Sequence, residues 1–298
     1  MNKFLLLGAA LLLQSCTNAD EKIATASLDE ADKQKLVTVT QSLPAEHQAR
    51  YAARHPVETL AFFGVKPGDT VVEVLPGEGW YSKILLPYLG SKGRLIGVDY
   101  DLAMWPEFGD WAKGEFVEKR KAWPTEWTAD AKTWGGANSA KAEAHTFADL
   151  PAELTGKVDA VLFIRALHNL ARFDAKGNYL KQALAETHRV LKPNGIVGIV
   201  QHAIAEDKPD TWADGSRGYL KRSLLISTMN AAGFEFVGET DINKNPKDDP
   251  QDNETVWRLL PNMSAEENKK ASAAQNEKYR AIGESNRVTL LFRKNKAQ

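Results

Sequence analysis

Apolar residues come along this chain in short blocks, and the blocks switch between the two periods that secondary structure imposes. Five are near-continuous runs too short for helices: TVVEVL (70–75), GRLIGVD (93–99), AEAHTF (142–147), VDAVLFI (158–164) and IVGIV (196–200). They predict strands buried on both faces. Helical spacing runs from about Trp80 to Leu89 and from about Arg222 to Ala232. In NYLKQALAETHRVL (178–191), residues 180, 183, 184, 187 and 190 or 191 share one face. HQARYAARHPVETLAFFGV (47–65) also has helical spacing, interrupted at Pro56, while KPGD (66–69) and KPNG (192–195) read as turns. Strands alternating with helices imply an α/β fold, with a mostly parallel sheet covered on both faces. FEFVGET (234–240) and RVTLLFR (287–293) have no facing crossover helix between them, so an antiparallel ending is expected.

Two stretches exceed an ordinary connection. Residues 103–141 hold Trp105, Trp111, Trp123, Trp127 and Trp134, five of the eight tryptophans, and are expected to form a packed cluster over the sheet or a binding element. Residues 241–286 are polar and loop-rich around NPKDDPQDN (245–253), a length at which loops often serve as lids.

The N-terminus breaks the alternation differently. Lys3 precedes a short apolar run, Phe4 to Leu13, too short to span a bilayer comfortably. LQSC (13–16) resembles the bacterial lipobox, so residues 1–16 read as a lipoprotein signal peptide, with lipidation at Cys16. A plain secretory signal or a buried N-terminal helix are the alternatives. Thr17 as second residue implies, by the same resemblance, the outer membrane facing the periplasm. Residues 17–45 are polar and read as a tether that could hold a short helix, leaving residues 46–298 as one domain.

Charge narrows the partners. Lys and Arg number 38 against 39 Asp and Glu, with no block of like charge, so nothing offers the basic footprint of a nucleic-acid binder. The single cysteine rules out a disulfide framework within one chain.

The chemistry concentrates in VVEVLPGEGWYS (71–82), a strand entering a glycine turn and then a helix. Gly77 and Gly79 remove side chains at the carboxyl end of the strand, where a ligand could meet backbone N–H groups. Glu73 could accept bonds from loop amides. Asp99 stands 20 residues after Gly79, the spacing at which a carboxylate holds ribose hydroxyls. A dinucleotide fingerprint would need Gly or Ala where Ser82 stands, which argues against a nicotinamide oxidoreductase.

VVEVLPGEGWYS, GRLIGVDYD and RVLKPNGIVGIV together resemble the class I S-adenosylmethionine-dependent methyltransferases over roughly residues 50–293. RHPVETLAFFGVKPGDTVVEVLPGEGWYSKILLPYLG resembles a subgroup with predicted export signals. The chain departs from the pattern at Leu75, which stands at the motif's first glycine, before Pro76. The resemblance implies a Rossmann-like fold with a seven-stranded sheet and an antiparallel last strand. It implies S-adenosylmethionine as cofactor and a small-molecule acceptor. Glu73, Pro76, Gly77 and Gly79 would frame the methionine end and Asp99 the ribose, with Asp149 and Leu150 at the adenine. Arg165 to His168 would line the pocket. Trp80 or Tyr81 could face the sulfonium, although Trp80 fits helix packing as well, and Asp149 could be a turn residue before Pro151.

Two histidines are candidate bases: His168, in RALHNL (165–170), and His202, in VQHAI. Each could instead be a satisfied structural histidine. No acidic partner at ligand spacing accompanies them, so no metal site is expected. The competing function class is a non-catalytic binding module that reuses the same fold in the cell envelope.

Overall fold

A computed structural model describes residues 28–295; Cys16 and the segment read as a signal lie outside them. Helices α1 (Glu30–Ser42), α2 (Ala45–Gln48), α3 (Tyr51–Arg54) and α4 (Pro56–Phe63) precede β1 (Thr70–Val74), α5 (Ser82–Leu89) and β2 (Arg94–Asp99). The chain continues through α6 (Glu115–Gly135), β3 (Lys141–Thr146), β4 (Val158–Ile164), α7 (Leu167–Gly177), α8 (Tyr179–Val190) and β5 (Leu191–Ile204). It ends with β6 (Leu220–Lys221), α9 (Arg222–Ala231), β7 (Phe234–Thr240), α10 (Glu266–Lys270), α11 (Ala273–Ile282) and β8 (Arg287–Lys294).

The strands run in the order β3-β2-β1-β4-β5-β8-β7. β1 to β5 are mutually parallel, and β8 is antiparallel to both neighbours, β5 and β7. This is the expected Rossmann-like fold with its antiparallel last strand. An eighth strand, the two-residue β6, pairs with the end of β5 off the main path; two residues carry no readable period.

Alternation along β1 sends Val72 and Val74 into one core and Val71 into the other. The first core is built with Tyr100, Trp105, Phe163, Leu167, Leu184 and Phe234; the second with Leu36, Phe63, Leu85, Tyr88 and Trp127. The short helix allowed for within the expected tether is α1, residues 30–42, an Asp29-capped helix that buries Leu36 completely against the second core. Residues 103–141 are not merely a cluster, because most form α6, the crossover helix between β2 and β3. KPNG also lies within extended β5, where Asn194 (φ 63°) accompanies a register shift against β4. α7 went unforeseen because its first turn is read equally well as the end of β4.

Strand order reverses between β1 and β4. In open α/β sheets the crevice at such a point, beyond the carboxyl ends of the strands, is where ligands bind.

Candidate active site

At that crevice two consecutive strand ends turn sharply. Leu75 after β1 and Arg165 after β4 both hold left-handed backbone (φ 51° and 61°). The left-handed region costs a side-chain-bearing residue about 1–2 kcal/mol, so the position where Leu75 stands is one that favours glycine. Gly77 (φ 58°) follows, and a side chain built there would meet nothing within 4 Å. Gly79 (φ 75°) is different: a Cβ would strike the Trp134 ring at 2.3 Å. The absent side chain at Gly77 therefore leaves room for a ligand, whereas the one at Gly79 is filled by a tryptophan of α6.

A cavity of about 470 Å³ opens over these turns. Its floor is Leu75 to Glu78 together with Ile164, Arg165, His168, Asn169 and His202. Its walls are Arg50, Arg54 and Trp80 on one side, and Val256 to Trp257, Leu259 to Asn262, Glu284 and Ser285 on the other. The expected loop 241–286 thus folds over the site. A wholly buried ion pair, Arg258 to Asp248 at 2.8 Å, pins it down, and Tyr219 donates to the same carboxylate.

The candidate bases come together here. The His168 and His202 rings lie 5.5 Å apart. Nδ1 of His168 stands 3.3 Å from the Gln201 amide, and Nδ1 of His202 stands 2.5 Å from Oγ of Ser285. Burial lowers His168 to about 4, against a raising contact from Gln201, with Arg165 and Arg172 adding to the drop. Burial, His168 and nearby arginines hold His202 well below its ordinary value. Both are neutral at pH 7, so neither titrates near neutrality, contrary to the ordinary behaviour of histidine.

Other expected residues sit elsewhere. Glu73 is buried and accepts from the Ser82 hydroxyl at 2.6 Å rather than from loop amides; burial pushes it up to about 7. Pro76 and Trp80 line the cavity. The Trp80 ring is stacked on His47 at 4.6 Å and carries the Arg54 guanidinium 4.6 Å from its centre, so its cation partner is already present. Tyr81 is buried in the second core, its hydroxyl 3.4 Å from the Arg54 carbonyl. Asp99 is wholly buried, and Arg120 of α6 donates to its Oδ2 through Nε at 2.9 Å and also through Nη2. Asp149 is exposed and accepts from Thr146 at 2.8 Å, and Leu150 is buried. Asp99, Asp149 and Leu150 do not line the cavity.

Sequence reading missed an arginine group. Glu284 is met by Arg50 at 2.9 Å, Arg54 at 3.1 Å, Arg287 at 3.3 Å and Arg165 at 4.0 Å. Arg50 and Arg54, four apart in RYAAR, were the available signal; their partner lies more than two hundred residues away. Burial lowers Arg54 to about 9 and Arg165 to about 10, leaving both charged at neutral pH.

Residues 72–199 match the family described as a methyltransferase domain. No curated protein matches the chain. Among solved structures, the cyclase SpnF is similar at 17% identity, with 82% of this chain and 81% of that chain covered and a TM-score of 0.48. A putative sarcosine dimethylglycine methyltransferase from Galdieria sulphuraria is similar at 15% identity, with coverage of 86% and 90% and a TM-score of 0.47. An arsenic(III) S-adenosylmethionine methyltransferase from Chlamydomonas reinhardtii is similar at 14% identity, with coverage of 88% and 74% and a TM-score of 0.45. The matched segment, with the strand order and the glycine turn at its switch point, is similar to a methyltransferase domain. The matched segment covers less than half of the chain, and S-adenosylmethionine is the cofactor that the sequence resemblance implies for it.

The residues present fit that cofactor. Gly77 leaves open space at the turn, and Oδ1 of Asp99, buried at the end of β2 outside the cavity lining, has no hydrogen-bond partner. Among the described residues no group of three or more His, Cys, Asp or Glu could hold a metal ion, and no helix is long and apolar enough to cross a membrane.

Proposed function

We propose that this protein transfers a methyl group to a small-molecule acceptor held in the cavity between the glycine turn and the 241–286 segment. The observation that carries the reading is the crevice at the switch point, lined by Gly77, Arg165, His168 and His202. S-adenosylmethionine supplies a methyl group already activated on a sulfonium. Little remains for the protein beyond alignment and, where the acceptor needs it, removal of a proton. Gly77 and the backbone of Pro76 and Glu78 would hold the methionine end. Asp99 would give its free Oδ1 to a ribose hydroxyl while Arg120 keeps Oδ2. His168, kept neutral by burial, would take the acceptor's proton on the nitrogen that Gln201 leaves free, and His202, oriented by Ser285, would position the acceptor. Val256, Trp257 and Leu259 to Pro261 give that side of the cavity an apolar wall.

Cys16 in LQSC supports a second part of the proposal, that the domain is carried as a lipid-anchored protein of the bacterial envelope, on the outer membrane facing the periplasm. The test of transfer is label from methyl-labelled S-adenosylmethionine, incubated with the protein and cell-envelope extract. Label is expected in the small-molecule fraction. Label confined to protein or nucleic acid would contradict the acceptor class.

A further inference from the structure

The charge around the cavity is out of balance. Arg50, Arg54, Arg165 and Arg287 surround one carboxylate, Glu284. The other lining carboxylate is Glu78, which is exposed at the turn. Among the residues that line the cavity, three arginines (Arg50, Arg54 and Arg165) against these two acids leave one positive charge in excess. Glu73, within β1, offsets this only in part, because burial pushes it up to about 7.

The donors are not all used. Arg287 is fully employed: it donates to the carbonyls of Ala53 and Ser285 and pairs with Glu284. Arg54 is not: it is 3% exposed, and its Nη1 is buried with no partner. Nε1 of Trp80, under the same guanidinium, is also unpaired. Arg165, 27% exposed, reaches no carboxylate nearer than Glu284 at 4.0 Å among the described residues. A buried guanidinium with an idle donor carries a desolvation cost that a bound oxyanion would offset.

The cofactor does not supply the missing charge. Its carboxylate is outweighed by its ammonium and sulfonium, so bound it adds one positive charge. A cavity in excess cation before the cofactor enters is in greater excess afterwards. We propose that the methyl acceptor bears an oxyanion, a carboxylate or phosphate, held by Arg50, Arg54 and Arg165. This rests on the methyl-transfer reading of the same cavity. Guanidinium forks match planar oxyanions two bonds at a time, and burial such as that of Arg54 strengthens each bond.

The experiment is calorimetry of the full protein saturated with S-adenosylhomocysteine, titrated at low salt with succinate in one arm and inorganic phosphate in the other. At least one anion is expected to bind, and the arm that binds assigns carboxylate or phosphate. Arg165→Gln and, independently, Arg50→Gln should each weaken it about ten-fold or more, the effect of losing a charged hydrogen bond. Glu284→Gln should tighten it, because the competing carboxylate is gone; a purely structural role for the cluster would not give that sign. No binding in either arm, or anion binding that competes with S-adenosylhomocysteine, would overturn the proposal. Competition would make the arginines the clamp of the cofactor's own carboxylate. Absence of S-adenosylhomocysteine binding with anion binding intact would instead remove the methyl-transfer reading and leave an anion site.

Discussion

His168 carries both the chemistry and a pH signature. Its folded value is lowered to about 4 from an ordinary 6.5, so the folded state binds fewer protons than the unfolded state between those values. That contribution to stability is present above pH 6.5 and is lost as pH falls toward 4. Thermal melts of wild type and His168→Gln at pH 7, 5.5 and 4.5 should show the wild-type advantage shrinking as pH falls; a constant gap would contradict the assignment of a buried neutral ring. As a base, His168 stays unprotonated through neutrality. Turnover should therefore show no inflection near pH 6.5 from this group, while His168→Ala lowers it roughly 100-fold with cofactor affinity within a few-fold. Asp99→Ala should weaken S-adenosylmethionine binding about ten-fold or more, read by titration of the folded variant. The residue types at Gly77, Asp99, His168 and His202 were legible because turn geometry and ribose recognition leave spacings in sequence. The partners were not. Arg120 reaches Asp99 from a helix that sequence left unassigned, and Glu284 meets Arg54 across 230 positions.

At the scale of elements, α6 does two jobs. Its Trp134 fills the space beside Gly79, and its Arg120 neutralises Asp99. Gly79→Ala should force Trp134 out and lower stability by about 1–3 kcal/mol in denaturant melts, with a red-shifted tryptophan emission. Gly77→Ala, with open space around it, should keep the emission of wild type and show only the cost of its left-handed backbone. Equal emission shifts in both would contradict the packing described. Breaking a buried ion pair from one side costs about 3–5 kcal/mol, so Arg120→Ala should destabilise strongly, and the second change Asp99→Asn should recover part of the loss. The parallel strands were readable because burial on both faces makes them continuous apolar runs. α6 was not: Trp123, Trp127, Ala131 and Trp134 do share one face, but Pro124 stands inside the helix, and proline ordinarily marks a break. Residues 30–42 read as tether because only Leu36 and Thr40 of that helix are buried.

The whole molecule sets a segment that matches a methyltransferase domain beside a cation-rich cavity, in a chain whose first residues resemble a lipoprotein signal. Fractionation of wild type and Cys16→Ser should find the wild type with membranes and the variant released. Equal distribution would remove the anchor from the account. The central claim is that the crevice between β1 and β4 is built for S-adenosylmethionine. Calorimetry of the purified protein with S-adenosylmethionine, S-adenosylhomocysteine and NAD tests it most directly. The account predicts saturable one-to-one binding of the first two, weakened in Asp99→Ala, and no heat with NAD. Binding of NAD, or of none of the three to the folded protein, would contradict it.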